Sequence, residues 1–364
     1  MQNNIFNTEK TLEQYSNPKI YLNGKKGLIN TIHKSFPKIW SLYKEIKALD
    51  WSEDEFDYSQ CLQDFKTVDK DVSDFMINTL AWQWEADSVA ATSPIVLIAP
   101  FNPSIEIWET EAAITVNELV HANTYSEIVR MSFDKPEEVL DEILKKQESL
   151  KRLESVTTFL SEFENFSKEV QYGTEYSEEE TIKYLLKYYF AMLLLERIQF
   201  MASFAITFTI AKTGLFQAIG QAVKKIAQDE LEVHVEYRKQ VILELQKMDK
   251  TGKIWESIKP ELNKMFHDVV TTEMIWTEEL FKDKNLVGVN ADLIKEWVLF
   301  NAKDVAKFAK LESQFQFPSK NPIPFLEDWF NMNAAQQAPQ EIQVAAYKVN
   351  ATKRNDENIT FNDF

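Results

Sequence analysis

The chain has 364 residues, 57 of them acidic and 40 basic, for a formal net charge of −17. A surface that acidic repels phosphate and argues against direct nucleic-acid binding, and a single cysteine, Cys61, excludes an internal disulfide framework and suits a reducing compartment. With 45% hydrophobic residues, only seven glycines and eleven prolines, the chain can bury a large core and favours long helices over many short strands.

In chain order, the amino-terminal MQNNIFNTEKT lacks a basic stretch followed by an apolar one, so no signal peptide is expected. Apolar residues then recur at three- and four-residue spacing, which predicts helices over 27–48, 68–98, 104–132, 136–168, 178–213, 216–247, 254–283 and 289–309. Segment 50–66, DWSEDEFDYSQCLQDFK, is polar with scattered aromatics and reads as a connector. The stretch 189–211, YFAMLLLERIQFMASFAITFTIA, is long enough to span a membrane but contains Glu196, Arg197 and Gln199. Each charge in lipid costs roughly 2.5–3.5 kcal/mol on insertion scales, so a helix buried inside a helical protein is expected instead. From Asn333 the sequence is polar and aperiodic, which predicts a flexible tail to Phe364. An aromatic end on such a tail can serve as a peptide ligand for another protein, and a tail without a role stays open. The expected division is an extension over 1–27, a helical domain over 28–332 and the tail over 333–364.

The chemistry lies in acids placed within apolar helices. Of four histidines, His33, His121, His234 and His267, two have a carboxylate on the same helical face: Glu118 precedes His121 by three residues and Glu230 precedes His234 by four. Glu118 lies in AAITVNELVHANTY and Glu230 in AVKKIAQDELEVH, while Glu196 lies in the long apolar run and Asp87 in LAWQWEADSVAA. Burying such acids unpaired is costly. Convergence of four carboxylates and two imidazoles on two divalent cations resolves that cost, and facing helices of a four-helix bundle build dimetal sites in this way. Oxygen-rich donors with two imidazoles suit iron or manganese better than zinc. The plainer alternative is a set of salt-bridged core acids.

Tyr125 follows Glu118 by seven residues and His121 by four, on the same face. Phe200 and Phe204 follow Glu196 by four and eight, and Ile226 precedes Glu230 by four, so these apolar residues are expected to form a dry wall. A phenol in such a pocket can lose an electron and remain a radical; a core tyrosine hydrogen-bonded to a ligand needs the same geometry.

With NELVHANTY at 117–125, LLLERIQFMASFA at 193–205, IAQDE at 226–230 and APQEIQVAAY at 338–347, the chain resembles the small subunits of class I ribonucleotide reductases of bacterial or bacteriophage type, over roughly residues 28–364. The resemblance implies an all-α, ferritin-like helical bundle with extra helices and a flexible tail. It implies two metal ions per chain, two irons as the first expectation, with two manganese ions or a mixed pair as alternatives. Asp87 and His121 would hold the ion nearer the tyrosine, Glu196 and His234 the other, and Glu118 and Glu230 would bridge them. Tyr125 would carry the radical, walled by Phe200, Phe204 and Ile226. His121, Asp229, Trp51 and Tyr347 would pass it to a large subunit that reduces ribonucleotides, with Glu341 assisting and the carboxy terminus docking there. The resemblance further implies a homodimer, an activating reductase as a potential partner, and a cytoplasmic location in a bacterial cell or phage-infected host. One departure stands out: the family's second motif is Glu-x-x-His, and here the spacing from Glu230 to His234 is one residue longer, with Glu232 as a rival acid. A local π-bulge would absorb the extra residue.

Other functions share parts of this pattern. A ferritin-like dimetal oxidase or oxygenase with its own substrate shares the ligands but leaves Trp51, Asp229 and Tyr347 unexplained, and a metal store gives Tyr125 no purpose. No glycine-rich phosphate loop occurs, so no nucleotide substrate site is expected on this chain, and no amino-terminal regulatory nucleotide module is expected because the resemblance begins near residue 28. Whether Tyr125 or the metals keep the oxidant stays open.

Overall fold

The computed structural model describes residues 18–24, 28–145 and 147–330. Among them the regular structure is helical, with a lone bridge between Leu286 and Val289.

Several helix limits differ from the sequence expectation, for local reasons. The helix expected from residue 27 runs over Pro37–Ala48, because a proline lacks the N–H that a helix interior needs and is tolerated at its first position. The expected connector over 50–66 contains a 3-10 turn, Glu53–Glu55, closed by a Ser52/Glu55 capping box, and a helix, Ser59–Thr67. That helix buries Cys61 alone, too narrow an apolar face to register as a period. The segment expected as 68–98 is two helices, Lys70–Thr92 and Pro94–Ile98, divided where Pro94 cannot donate back along the helix. The segment expected as 136–168 is also two, Pro136–Leu144 and Gln147–Gln171, and a short helix, Leu326–Phe330, was not expected.

Four long helical segments form the centre. Lys70–Thr92 packs on Ile105–Ser132 and on Phe200–Lys212; Glu178–Leu194 packs on Val235–Met248, and Phe200–Lys212 on Gln217–Gln228. Among the described residues the span Glu178–Lys212 is the one long and apolar enough to cross a membrane, but 94% of its apolar window is buried among the other helices. Two π turns interrupt this frame: Leu195–Gln199, between Glu178–Leu194 and Phe200–Lys212, and Asp229–His234, between Gln217–Gln228 and Val235–Met248.

The hairpin that brings these interrupted segments together depends on its corner. Gly214 has φ +94° and Phe216 φ +51°, the latter unusual for a bulky side chain. The Phe216 N–H donates to Asp64 Oδ2 at 2.8 Å, which holds the corner. A Cβ on Gly220 would meet Ala211 Cβ at 2.5 Å, so the helices approach this closely only with glycine there.

The first π turn is braced from outside the bundle. Arg152 lies between the rings of Trp82 and Trp276, 3.7 and 3.6 Å from their centroids. It pairs with buried Glu273 at 2.6 Å, and its Nη2 donates to the Gln199 carbonyl, also at 2.6 Å. In return Gln199 Nε2 donates to the Arg152 carbonyl at 2.9 Å. A backbone carbonyl at an interruption of the helix thus has a charged donor.

Candidate metal centre

Asp87 comes from Lys70–Thr92, Glu118 and His121 from Ile105–Ser132, Glu196 from the first π turn, and Glu230 and His234 from the second. All six are buried. Their donor atoms gather in two sets, each within 4.8 Å: Asp87, Glu118 and His121; and Glu118, Glu196, Glu230 and His234. Glu118 belongs to both. Its Oε2 lies 3.3 Å from His121 Nδ1 and its Oε1 3.3 Å from His234 Nδ1. Glu230 repeats the pattern, Oε1 at 3.4 Å from His121 Nδ1 and Oε2 at 3.3 Å from His234 Nδ1. Each of these carboxylates therefore offers one oxygen to each half of the cluster.

The spacing of Glu230 and His234 follows from the π turn. Its i→i+5 hydrogen bonds take one extra residue into the turn, so i and i+4 there stand about where i and i+3 stand in an α-helix. Glu232 lies half-buried, 3.5 Å from Gln228 Nε2, and takes no part in the cluster.

The outer face of each imidazole is tied down. His121 Nε2 lies 3.0 Å from Asp229 Oδ2, and a carboxylate only accepts, so Nε2 carries the proton. Asn117 Nδ2 donates to the same Asp229 oxygen at 2.9 Å, which turns Asn117 Oδ1 toward His234 Nε2, also at 2.9 Å. Each imidazole thus turns its Nδ1 inward, the arrangement by which outer hydrogen bonds orient metal-binding histidines. Trp51 Nε1 donates to Asp229 Oδ2 at 2.7 Å, and its ring lies 6.0 Å from that of His121, inclined by 27°.

The inward atoms are what a metal requires. Among the described residues, both Asp87 oxygens, Glu118 Oε2, Glu196 Oε2, both Glu230 oxygens and both Nδ1 atoms are buried without a hydrogen-bond partner. Such groups are costly unless something else satisfies them. Four carboxylates balance the charge of two divalent cations, and the donor set of oxygens and two imidazoles fits iron or manganese. Without cations the groups compete for protons. Burial, then Glu118, raises Asp87 well above the usual carboxylate range, and burial raises Glu196 to about 8 despite Arg238 beside it. Burial also works upward on Glu118, but the two imidazoles at its oxygens bring it down to about 2. Burial opposes charging His121, yet Asp229, Glu118 and Glu230 raise it well above the ordinary imidazole value. Metal uptake at such a site displaces protons.

Tyr125 is fully buried, and its hydroxyl has no hydrogen-bond partner among the described residues. Burial first, then the charge of Asp87, raises its phenol far above the ordinary value. Phe200, Phe204 and Ile226 are buried as well, the two phenylalanine rings stacked 5.5 Å apart. Glu341 and Tyr347 lie outside the described residues. Cys61 is buried and its thiol pushed up to about 12 by desolvation, so it stays protonated.

Sequence reasoning passed over Asn117, Glu111 and Arg238. The buried Arg238 donates to Glu196 Oε1 at 3.0 Å and to Glu111 Oε1 at 2.9 Å. A signal was present: Glu111 precedes Glu118 by seven residues and Arg238 follows His234 by four, spacings that keep each near the ligand face. Asn117 precedes His121 by four residues, so it too stands near that face, but its bonds to Asp229 and His234 cross to another helix and are given only by the tertiary contacts.

Comparison with known proteins identifies the family of the chain. A family model described as ribonucleotide reductase, small chain, matches residues 28–322. The chain is 28% identical over 334 residues to the ribonucleoside-diphosphate reductase subunit beta of Haemophilus influenzae, covering 86% of this chain and 87% of that one. It is 26% identical over 325 residues to the subunit beta of Enterobacteria phage T4, covering 82% and 83%. The ribonucleotide reductase R2 subunit from Clostridium botulinum matches in structure with a TM-score of 0.76 at 18% identity, covering 91% of this chain and 99% of that one. The dimanganese(II)-NrdF of Streptococcus sanguinis matches with a TM-score of 0.66 at 17% identity, covering 84% and 100%. At those identities the structural likeness speaks for the fold, which is all-α and ferritin-like. With the family model covering most of the chain, this protein belongs to the ribonucleotide reductase small chain family.

Proposed function

We propose that this chain is the radical-generating small subunit of a ribonucleoside-diphosphate reductase. The observation that carries the reading is the convergence of six buried ligand side chains whose inward donor atoms lack hydrogen-bond partners among the described residues. Asp87 and His121 would hold one ion and Glu196 and His234 the other, with Glu118 and Glu230 each offering an oxygen to either half. A bound pair of irons, or of manganese ions or one of each, supplies a one-electron oxidising equivalent after reaction with an oxygen species. Tyr125 gives up an electron, its phenol proton passing to the facing Asp87 carboxylate, and burial beside Phe200, Phe204 and Ile226 keeps water from the resulting radical. Asp229 couples His121 to Trp51 through one oxygen atom, and this gives the oxidising equivalent a hydrogen-bonded way out. A dimetal oxidase working on its own substrate has no use for that exit.

The rest of the reading concerns assembly. Residues 28–332 form the dimetal domain, and the chain works in the cytoplasm as a homodimer. The tail over 333–364 docks on a large subunit that binds the ribonucleotide, with Tyr347 continuing the transfer and Glu341 assisting it. The test combines metal analysis, EPR and ribonucleotide reduction with the large subunit. Tyr125→Phe is expected to keep both ions and lose the stable tyrosyl signal and turnover together; Tyr347→Phe is expected to keep the signal and lose turnover. A Tyr125→Phe enzyme that still turns over would transfer the radical role to the metals.

A further inference from the structure

A second hydrogen-bonded network leaves the cluster at Glu196. Beyond Arg238 it reaches Glu111, whose Oε1 accepts from the hydroxyls of Tyr237 at 3.0 Å and Tyr189 at 3.1 Å. The Tyr189 hydroxyl is in turn hydrogen-bonded to that of Tyr21. Arg238, Glu111 and all three tyrosines are fully buried. This network departs from the Glu196–His234 set, whereas Trp51 and Asp229 join the cluster at His121 and Tyr125 feels Asp87 most strongly.

The arrangement differs from ordinary core hydroxyls in three ways. Two phenols converge on one carboxylate, which is a base. A phenol that loses an electron becomes a strong acid, so its oxidation in a dry interior needs a proton acceptor at hydrogen-bond distance. Tyr125 faces Asp87, which belongs to a ligand set, while Tyr189 and Tyr237 share Glu111, which stands outside both sets. The aromatic rings also form a connected group, with centroids 6.2 Å apart for Tyr189 and Tyr237, 5.1 Å for Tyr188 and Tyr189, and 6.2 Å for Tyr21 and Tyr189. Finally, Arg238 is flanked by two carboxylates, so its charge sets up no net positive field against loss of an electron.

We propose that Tyr189 and Tyr237, with Glu111 as proton acceptor, form a second oxidation site of the dimetal centre, which takes up oxidising equivalents that Tyr125 does not receive. The inference rests on the dimetal reading of the cluster. In the step, the O–H bond of one of the two tyrosines breaks. Its proton passes to Glu111 Oε1, the oxygen that accepts from both hydroxyls, while Oε2 has no hydrogen-bond partner among the described residues. The electron goes to the metal pair previously oxidised by dioxygen or hydrogen peroxide, which is thereby reduced by one unit, and a neutral tyrosyl radical remains. The burial that keeps these phenols protonated in the resting protein also excludes water from that radical.

The experiment uses full-length Tyr125→Phe protein loaded with ferrous iron, assayed for metal content, mixed with dioxygen and followed by freeze-quench EPR. A transient tyrosyl signal is expected, narrowed by ring-deuterated tyrosine and lost when Tyr189→Phe and Tyr237→Phe are added. Glu111→Gln keeps the shape of the acceptor but not its basicity, and is expected to lose most of the signal with iron content unchanged. Full iron content with no organic radical at any time, or a signal unchanged by these further substitutions, overturns the inference while leaving the dimetal reading intact. Failure to take up iron overturns both.

Discussion

The two halves of the ligand cluster are built differently. Asp87, Glu118 and His121 project from uninterrupted α-helices, Lys70–Thr92 and Ile105–Ser132, while Glu196, Glu230 and His234 project from π turns. The regular half needs little beyond the shared Asp229 to hold it. The interrupted half is braced by buried charges: Arg152 and Glu273 at Gln199, and Arg238 and Glu111 at Glu196. A π turn is a rare and costly departure from the α-helix, so it persists where surrounding interactions hold it in place. The ligand geometry that is hardest to form thus lies where buried arginine–carboxylate pairs hold the first π turn.

The strongest test of the comparison is loss of metal. Glu118→Ala removes a carboxylate that belongs to both ligand sets, and binding is expected to fall from two ions per chain toward none by elemental analysis. Glu230→Ala is expected to do the same from the π-turn side, whereas Glu232→Ala retains the metals. The opposite pattern at 230 and 232 would mean that the π turn presents a different acid.

Next in size is the brace itself. Arg152→Met strands Glu273 in the core, and a broken buried pair costs about 3–5 kcal/mol. On the regular side, Arg130 and Glu127 form an exposed pair on Ile105–Ser132, and Arg130→Met is expected to cost below about 1 kcal/mol. Denaturant titration of both variants compares them directly; equal costs would remove the distinction between braced and unbraced halves.

The smallest expected effect comes from deleting Glu232. A π turn is an α-helix with one residue inserted, so the deletion restores Glu-x-x-His spacing while the flanking helices keep their register. Metal content is expected to stay near that of the parent, with a stability change smaller than that of Arg152→Met. Loss of metal would show that the π turn sets the direction of His234 as well as absorbing a residue.

Much of this was readable in advance. The i,i+3 pair Glu118–His121 and the lone acids Asp87 and Glu196 stand out because a carboxylate in an apolar helical face is conspicuous in one dimension. Trp51 and Asp229 entered by family resemblance, and their hydrogen bond is a contact across 178 residues that no periodicity reveals. The helix breaks at Pro37 and Pro94 were visible as residues, yet apolar periodicity runs through them and hid the boundaries.

What the sequence by itself determined is the repertoire: long amphipathic helices, acids and imidazoles on their buried faces, and a tyrosine two turns from Glu118. These follow from local rules, since helical spacing and the cost of a buried charge act within a few residues. What only the tertiary structure decided is which oxygen faces which imidazole, that Glu230 and not Glu232 turns inward, and that Asn117, Arg238 and Arg152 hold the rest in place. Those choices depend on contacts between helices far apart in the chain, where packing and the pairing of buried charge select one arrangement from several that the local pattern allows.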